Sequence, residues 1–146
     1  MIDVEIKGLK ETQARMEKVV RDLQGEPFLM GMRKALLLVQ RSAKLKAPVD
    51  TGRLRASITP EVRRQGTETL GVVGSNVKYA PFQELGTKPH FVSARHIGKW
   101  AERHGLGNRG LFVKGTAHPF LRPALEENED KIVRILGDTV ARIVSE

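Results

Sequence analysis

Apolar residues recur with two different periods along the first third of the chain. In the opening segment MIDVEIK they alternate with charged residues, which predicts a short strand that ends at Gly8. From Leu9 to Leu23 they recur every three or four positions, which predicts an amphipathic helix with a stop at Gly25. A second helix is predicted from Pro27 up to Pro48. Its wider apolar face indicates that it is the more deeply buried of the two.

The middle of the chain is marked by turn residues. In the segment PVDTGRLRAS, Asp50 and Thr51 can cap local backbone donors, and Gly52 permits an unusual dihedral angle. The apolar positions that follow, from Ile58 to 73, predict a β-hairpin around Gly66. A proline at position 60 favours an edge strand or a bulge.

The rest of the pattern predicts helices and one uncertain region. The segment YAPFQELGT predicts a short helical turn ended by Gly86. Between 88 and 117, ARHIGKWAERHG favours a short helix and NRGLFVKGT a strand, although the glycines and basic residues also fit a surface loop. Residues 118–146 show the clearest helical period, with acids early and bases late, an order that suits the helix dipole.

This order of elements predicts an α+β fold. A small antiparallel sheet is expected to pack with two N-terminal helices and a long C-terminal helix. The length of 146 residues fits one domain, residues 1–146, with a loop or helix insert at 88–117.

Composition adds a strong positive charge to this picture. The formal net charge is +8 and the isoelectric point is near 10.1, which favours a polyanionic partner such as nucleic acid, an acidic membrane surface or an acidic protein face. The chain has no cysteine, so disulfides and thiolate metal sites are excluded. No apolar run is long enough for a signal peptide or a membrane span, and we expect a cytosolic protein with no membrane partner.

Residue patterns for catalysis are weak. Of the four histidines, His96 and His104 are eight positions apart, and without a carboxylate at ligand spacing they make a poor metal site. No serine has the context of a nucleophile, and the glycines match neither nucleotide-binding fingerprint. We therefore predict no enzyme activity, no catalytic residue, no metal and no cofactor. An enzyme such as a nuclease would need a cluster of acids or histidines that the chain does not show.

Nucleic acid is the more serious alternative. Basic residues flank the predicted hairpin and fill the predicted insert, and phosphate contacts need only positive charge. Base stacking would need exposed aromatic residues on a sheet, and the chain has few. A small basic nucleic-acid-binding module therefore remains the second hypothesis, with non-specific contact favoured over sequence readout.

Three segments, taken together and in order, resemble a known family. They are APVDTGRLRASI, YAPFQELGT and HPFLRPAL, at positions 47–58, 79–87 and 118–125. Their order is similar to that of small bacteriophage and prophage morphogenesis proteins of the head–tail joining, neck and tail-completion group of long-tailed phages, which includes minor tail components. The long insert at 88–117 departs from shorter members.

The resemblance implies a non-enzymatic structural subunit. Such subunits assemble into a ring, a hexamer or a dodecamer, between the capsid connector and the tail, and the ring continues the DNA channel. The implied partners are copies of the chain itself, neighbouring connector, adaptor and tail-tube proteins, and non-specific DNA in the lumen. The implied location is the host cytoplasm during assembly and then the virion.

Two groups of residues follow from the resemblance. The motif residues carried over are Asp50, Thr51, Gly52, Arg53, Tyr79, Ala80, Glu84, Gly86, Thr87, Pro119, Phe120, Leu121, Arg122, Pro123 and Ala124. The candidates for lining a DNA channel are Lys88, Arg95, Lys99, Arg103 and Arg109.

The motifs also carry a physical hypothesis. Tyr79, Pro81 and Phe82 are expected to form an apolar anchor. Glu84 supplies a charge that could pair with an arginine, and the candidates are Arg53, Arg55 and Arg122. We expect the segments to meet and to hold the hairpin against the last helix. The competing interpretation is that they are turns that serve the fold alone.

Overall fold

The computed structural model describes residues 7–107 and 109–146. The strand predicted for the opening segment falls on positions 1–6, outside the described residues. The helices are α1 (Leu9–Leu23), α2 (Glu26–Lys46), α3 (Arg53–Ser57), α4 (Ala80–Leu85), α5 (Ala94–Arg103), α6 (Leu121–Glu127) and α7 (Glu129–Ser145). The strands are β1 (Thr59–Gln65), β2 (Glu68–Gly74), β3 (His90–Val92) and β4 (Leu111–Val113).

The two N-terminal helices are confirmed, and they differ in burial as predicted. Gly25 lies in extended backbone between them, and Pro27 stands in the first turn of α2, where its missing N–H costs no helical hydrogen bond. No residue of α1 is buried. The buried residues of α2 are Gly31, Ala35, Leu36, Val39 and Ala43. Because α7, α6, β1 and β2 all pack against α2, this helix is the centre of the fold.

The β1–β2 hairpin is also confirmed. Its strands pair antiparallel from Thr59 opposite Gly74 to Gln65 opposite Glu68, and the turn includes Gly66 with a φ of +62°. Among the residues that the structure describes, this sheet has two strands, and within them the strand that carries Pro60 is an edge, in line with the expectation. Position 71 of β2 is a glycine, and a Cβ added there would come within 2.9 Å of the Leu36 and Met32 side chains. The strand β2 therefore packs in direct contact with α2.

The core joins segments that are far apart in the sequence. Phe120 and Ile58 are its largest fully buried side chains. The buried cluster consists of Val39, Ala43, Ala47, Leu54, Ile58, Val77, Ala80, Phe120 and Ala124. It therefore brings α2, α3, α4 and α6 to one point below the hairpin.

The region between 88 and 117 forms regular elements rather than an irregular loop. The predicted helix is α5 and the predicted strand is β4. The sequence did not indicate β3, which pairs antiparallel with β4 with Phe91 opposite Phe112. The described ranges thus contain two separate two-stranded ladders.

The prediction of one continuous C-terminal helix is wrong. The chain leaves helical geometry at Asn128, with φ −108° and ψ 6°. The Asn128 side chain is buried, and its Nδ2 donates to the Ala124 carbonyl at 2.7 Å. Because this bond satisfies a carbonyl at the end of α6, the helix can break here without leaving a buried acceptor unpaired.

The fold class is α+β, as expected. Two N-terminal helices, a small antiparallel hairpin and a long C-terminal helix are all present, and α7 is that long helix. Within the two described ranges, no helix combines the length and the apolarity needed to cross a membrane.

Two glycines give a matched test of the α2–α7 contact. A Cβ at Gly31 would collide with the Thr139 side chain, whereas Gly137 has open space around its Cβ position. We expect Gly31→Ala to lower the free energy of unfolding by about 1–3 kcal/mol through overpacking. We expect Gly137→Ala to raise it by up to about 1 kcal/mol, because alanine favours a helix interior. Urea denaturation of both variants checks this, and equal effects would contradict the close α2–α7 packing.

Candidate functional site

The segment from Tyr79 to Thr87 is the short helix α4, closed at its end by a glycine. Gly86 has a φ of +77°, and its N–H donates to the Phe82 carbonyl at 2.9 Å. A Cβ at this position would lie 2.6 Å from the Gly115 carbonyl oxygen. The position therefore requires glycine both for its backbone angle and for the close approach of another segment.

Two backbone hydrogen bonds fasten this segment to the chain that returns from the 88–117 region. The Thr87 N–H donates to the Gly115 carbonyl at 2.9 Å, and the His118 N–H donates to the Gln83 carbonyl at 2.8 Å. The second and third motif segments thus meet directly, as the sequence hypothesis expected.

Glu84 is the central contact of this junction. One carboxylate oxygen, Oε2, accepts hydrogen bonds from the backbone N–H groups of Phe120 at 2.8 Å and Leu121 at 2.9 Å. The other, Oε1, accepts from the Arg122 N–H at 2.9 Å. These N–H groups open α6 and have no partner inside the helix. A side chain from α4 therefore caps a helix that begins 37 residues later.

The prediction that Glu84 pairs with an arginine side chain is wrong. Its hydrogen-bond partners are three backbone amides, and no ion pair involves Glu84 among the described residues. Arg53 and Arg55 are exposed on α3. The side chain of Arg122 contributes only the field of its charge, since its hydrogen bond to Glu84 comes from the backbone N–H.

These contacts keep the carboxylate ionised. Burial alone would raise the pKa of Glu84, but the hydrogen bonds from Leu121, Phe120 and Arg122, together with the positive charge of Arg122, lower the pKa below its ordinary value of 4.5. Hydrogen bonds to the ionised form stabilise that form, and the pKa falls for this reason.

The expected aromatic anchor is also wrong. Tyr79 and Phe82 are 40% and 59% exposed, and Pro81 is exposed. The residues that anchor the junction in the core are Ala80 and Phe120, because both belong to the buried core cluster. The small side chain of Ala80 lets α4 lie close to the core, and this leaves the aromatic rings outside.

The first motif segment joins the junction through the core rather than through polar contacts. Gly52 has a φ of +82° and begins α3, as its predicted unusual dihedral requires, and Leu54 is buried beside Ala80 in the core cluster. No side-chain hydrogen bond is made to the first turn of α3, so neither Asp50 nor Thr51 caps this helix. The capping prediction is therefore wrong for this helix.

Asp50 instead ties this corner to α5. Its Oδ2 accepts from Arg103 Nη2 at 2.8 Å, and its Oδ1 lies 3.9 Å from His104 Nε2. The His104 ring in turn stacks on Trp100, with 4.3 Å between the centroids. Both members of the Asp50–Arg103 pair are about half exposed, so we expect the pair to orient α5 more than to stabilise the fold.

The five channel candidates are all exposed, but they are not equivalent. Arg103 already has a carboxylate partner in Asp50. Arg95 and Lys99 both stand on α5, but the backbone leaves helical geometry between them at Ile97, with φ −120° and ψ 17°. Lys88 lies just before β3, and Arg109 lies between α5 and β4. Whether any of them lines a channel stays a prediction.

Sequence reasoning missed two apolar surfaces. Phe91 and Phe112 face the same side of the β3–β4 hairpin, and both are largely exposed. Along α1, Leu9, Met16 and Val20 are also largely exposed, beside a groove walled by Arg64 of β1. The period of α1 was visible in the sequence, but its exposure within the described part of the chain was not.

The described residues contain no group of three or more histidines, aspartates and glutamates that could hold a metal ion. His96 lies on α5, and His104 follows it, held to Asp50 and Trp100 rather than turned toward His96.

Comparison with family models gives one match. Residues 10–86, more than half of the chain, match the model of the HK97-gp10-like family, described as "Bacteriophage HK97-gp10, putative tail-component". The chain belongs to the HK97-gp10-like family.

The HK97-gp10-like match runs from α1 to Gly86 and so includes Glu84. Comparison with curated proteins and with solved structures gave no match. Membership of a phage tail-component family supports the resemblance drawn from the three motifs. It is consistent with a structural role, with other phage structural proteins as partners and with a place in the virion.

Removing the Glu84 carboxylate tests the junction. We expect Glu84→Ala to lower the free energy of unfolding by about 1.5–3 kcal/mol, because three N–H groups lose a charged acceptor. Glu84→Gln retains one acceptor oxygen and should lose less. The matched control is Glu126→Ala, an exposed acid of α6 that makes no described side-chain hydrogen bond. Urea denaturation measures all three, and a loss for Glu126→Ala as large as that for Glu84→Ala would contradict the special role of Glu84.

The same carboxylate gives a pH dependence. The folded-state pKa of Glu84 is lowered, so its contribution to stability is fully present above the ordinary value of 4.5. That contribution is lost as the pH falls below 4.5 toward the lower folded-state pKa. We expect the difference in unfolding free energy between the natural chain and Glu84→Gln to shrink as the pH falls from about 5 to about 3. Urea titrations at each pH follow this difference. A constant difference would contradict the lowered pKa.

Proposed function

We propose that the chain is a non-enzymatic structural subunit that forms a ring at the head–tail junction of a phage and extends the DNA channel there. The proposal treats residues 1–146 as one domain with the insert at 88–117. Membership of a family of phage tail components supports it. Its partners would be copies of itself, neighbouring connector and tail-tube proteins, and DNA in the lumen. It would assemble in the host cytoplasm and remain in the virion.

The observation that carries the proposal is the apolar face of α1, which none of the described residues, 7–107 and 109–146, buries. The helix has the amphipathic pattern of a packed helix, yet none of its residues is buried. Most helical stability in proteins comes from covering an apolar face, and Leu9, Met16 and Val20 are left open to solvent. A helix of this kind is expected in a subunit whose surface is completed by another chain.

The positive charge supports the DNA part of the proposal. The net charge is +8, and Arg95 and Lys99 of α5 are both exposed without an ion-pair partner among the described residues. Cations on a channel wall would neutralise phosphates whatever the base sequence. Contacts that do not depend on the base sequence fit a channel through which DNA passes better than a protein that recognises one sequence.

Imaging of the assembled protein tests the proposal. We expect electron microscopy and mass photometry of the purified chain, alone and with its connector, to show closed rings with Arg95 and Lys99 on the inner wall. If only monomers form in both conditions, or if these cations lie on the outer rim, the proposal fails.

A charge-reversal pair tests the DNA contact in the same preparation. Arg95→Glu with Lys99→Glu should weaken binding to duplex DNA of any sequence and reduce the slope of log affinity against log salt by about 2. Arg134→Glu, a reversal on the exposed side of α7, is the control and should change the slope less. Tight binding by the monomer with a preference for one sequence would instead favour the nucleic-acid-binding module.

A further inference from the structure

The β3–β4 hairpin presents an aromatic pair to solvent. Phe91 and Phe112 are directly opposite each other in the antiparallel register, so their side chains lie on the same face. They are 66% and 61% exposed. An isolated two-stranded hairpin is marginally stable in water, and rigid exposed aromatic residues are typical anchors of protein interfaces. The hairpin therefore has the form of an element that docks into another surface.

An apolar cleft of matching size lies elsewhere on the same chain. It has a volume of about 290 Å³ and runs between α2, β2, α6 and α7. Its walls include Met32, Leu36, Val73, Leu125 and Leu136. An apolar cavity of about 150 Å³ accepts benzene, so this cleft has room for at least one phenyl ring. The hairpin supplies none of the residues that line it.

The charges around the two surfaces are opposite. From 86 to 118 the chain carries six lysines and arginines and a single acid, Glu102. The turn that joins α6 to α7, at one end of the cleft, carries four acids. One of them, Glu127, pairs with Lys46 at 2.6 Å. The other three, Glu126, Glu129 and Asp130, make no ion pair among the described residues.

The larger groove along α1 is a poorer match for the hairpin. Arg21 and Arg64 are among its lining residues, against the single acid Glu17. A basic hairpin would meet like charge there, and like charges across an interface disfavour a complex. The cleft has one lining cation too, Arg122. Three acids without an ion pair among the described residues stand beside it in the α6–α7 turn, and charge complementarity therefore favours the cleft.

We infer that the β3–β4 hairpin of one copy docks its Phe91–Phe112 face on the α2–β2–α6–α7 cleft of the next copy, with at least one of the two rings inserted. The cations of the insert then face the acids of the α6–α7 turn. This inference rests on the proposed function, because it requires copies that assemble. A protrusion that fits a different surface of the same chain makes a head-to-tail contact, and such a contact closes into a ring when the rotation allows. The inference thus assigns a contact to the proposed ring.

Disulfide trapping tests this contact directly. The chain has no cysteine, so a cysteine introduced at an exposed position is the only thiol in each copy. Phe112→Cys in one tagged copy is mixed with Leu125→Cys, at the 55% exposed rim of the cleft, in another. The control partner is Met16→Cys, which is 65% exposed beside the α1 groove.

After mild oxidation we expect the mixed dimer of Phe112→Cys with Leu125→Cys to exceed that of Phe112→Cys with Met16→Cys by about tenfold, which corresponds to about 1.4 kcal/mol of preference. An excess of the Met16→Cys dimer would place the hairpin on α1 and overturn the inference. Equal yields, or no mixed dimer at all, would overturn it as well.

A second set of variants separates the hairpin from the fold. Phe91→Ser with Phe112→Ser alters exposed side chains only, so the circular dichroism and the melting temperature should stay close to those of the natural chain, while assembly is lost. Reversing two acids, Glu126→Lys with Glu129→Lys, should weaken assembly. Combining this reversal with Lys88→Glu and Lys114→Glu should restore part of it. Normal assembly of the serine variant would overturn the inference.

The failure of the inference and the failure of the proposed function can be told apart. If rings form at the head–tail junction but Phe112→Cys never joins Leu125→Cys, the hairpin–cleft contact is wrong and the proposed function stands. If no ring forms under any condition while the hairpin and cleft still cross-link, the chain makes head-to-tail pairs outside a ring, and the proposed function is wrong.

Discussion

The structure depends on one carboxylate that caps a distant helix. Glu84 belongs to a six-residue helix that could hardly persist alone, and the three amides it binds belong to another short helix, α6. Each helix supplies what the other lacks: α4 brings the negative charge, and α6 brings unpaired donors. Phe120 then fills the core directly beneath this contact. The C-terminal segment is thereby joined to the part of the chain that the family model covers, although it lies outside that match itself.

The sequence was informative wherever the interaction is local. The periods of α1 and α2, the hairpin around Gly66, and the end of α4 at Gly86 all follow from neighbouring residues, and all are confirmed. The partner of Glu84 could not be found in this way, because its donors are backbone N–H groups 36 to 38 residues away, and a sequence displays only side-chain charges. The arginines were therefore the visible candidates, and the prediction chose them wrongly.

Two further errors share a cause, which is that an apolar pattern does not tell which neighbour covers it. The helical period continues through Asn128, so the pattern gave no sign that its amide would turn back to the Ala124 carbonyl and end α6. Likewise, the rings of Tyr79 and Phe82 suggested burial, but in a helix as short as α4 the single inward position belongs to Ala80. Apolar side chains left outside by the fold, on α1, α4 and the β3–β4 hairpin, are what a subunit would need for contacts with other chains.

The backbone bond between Thr87 and Gly115 has a consequence for the history of such chains. The polypeptide leaves the rest of the fold at Thr87 and returns to it at Gly115. The Thr87 nitrogen and the Gly115 carbonyl oxygen are 2.9 Å apart. Doubling the length of a flexible excursion between fixed ends costs only about 0.6 kcal/mol. The segment between Thr87 and Gly115 can thus be lengthened, shortened or replaced with little effect on the rest of the fold. A lineage can acquire a new outer surface in this way while its interior stays unchanged.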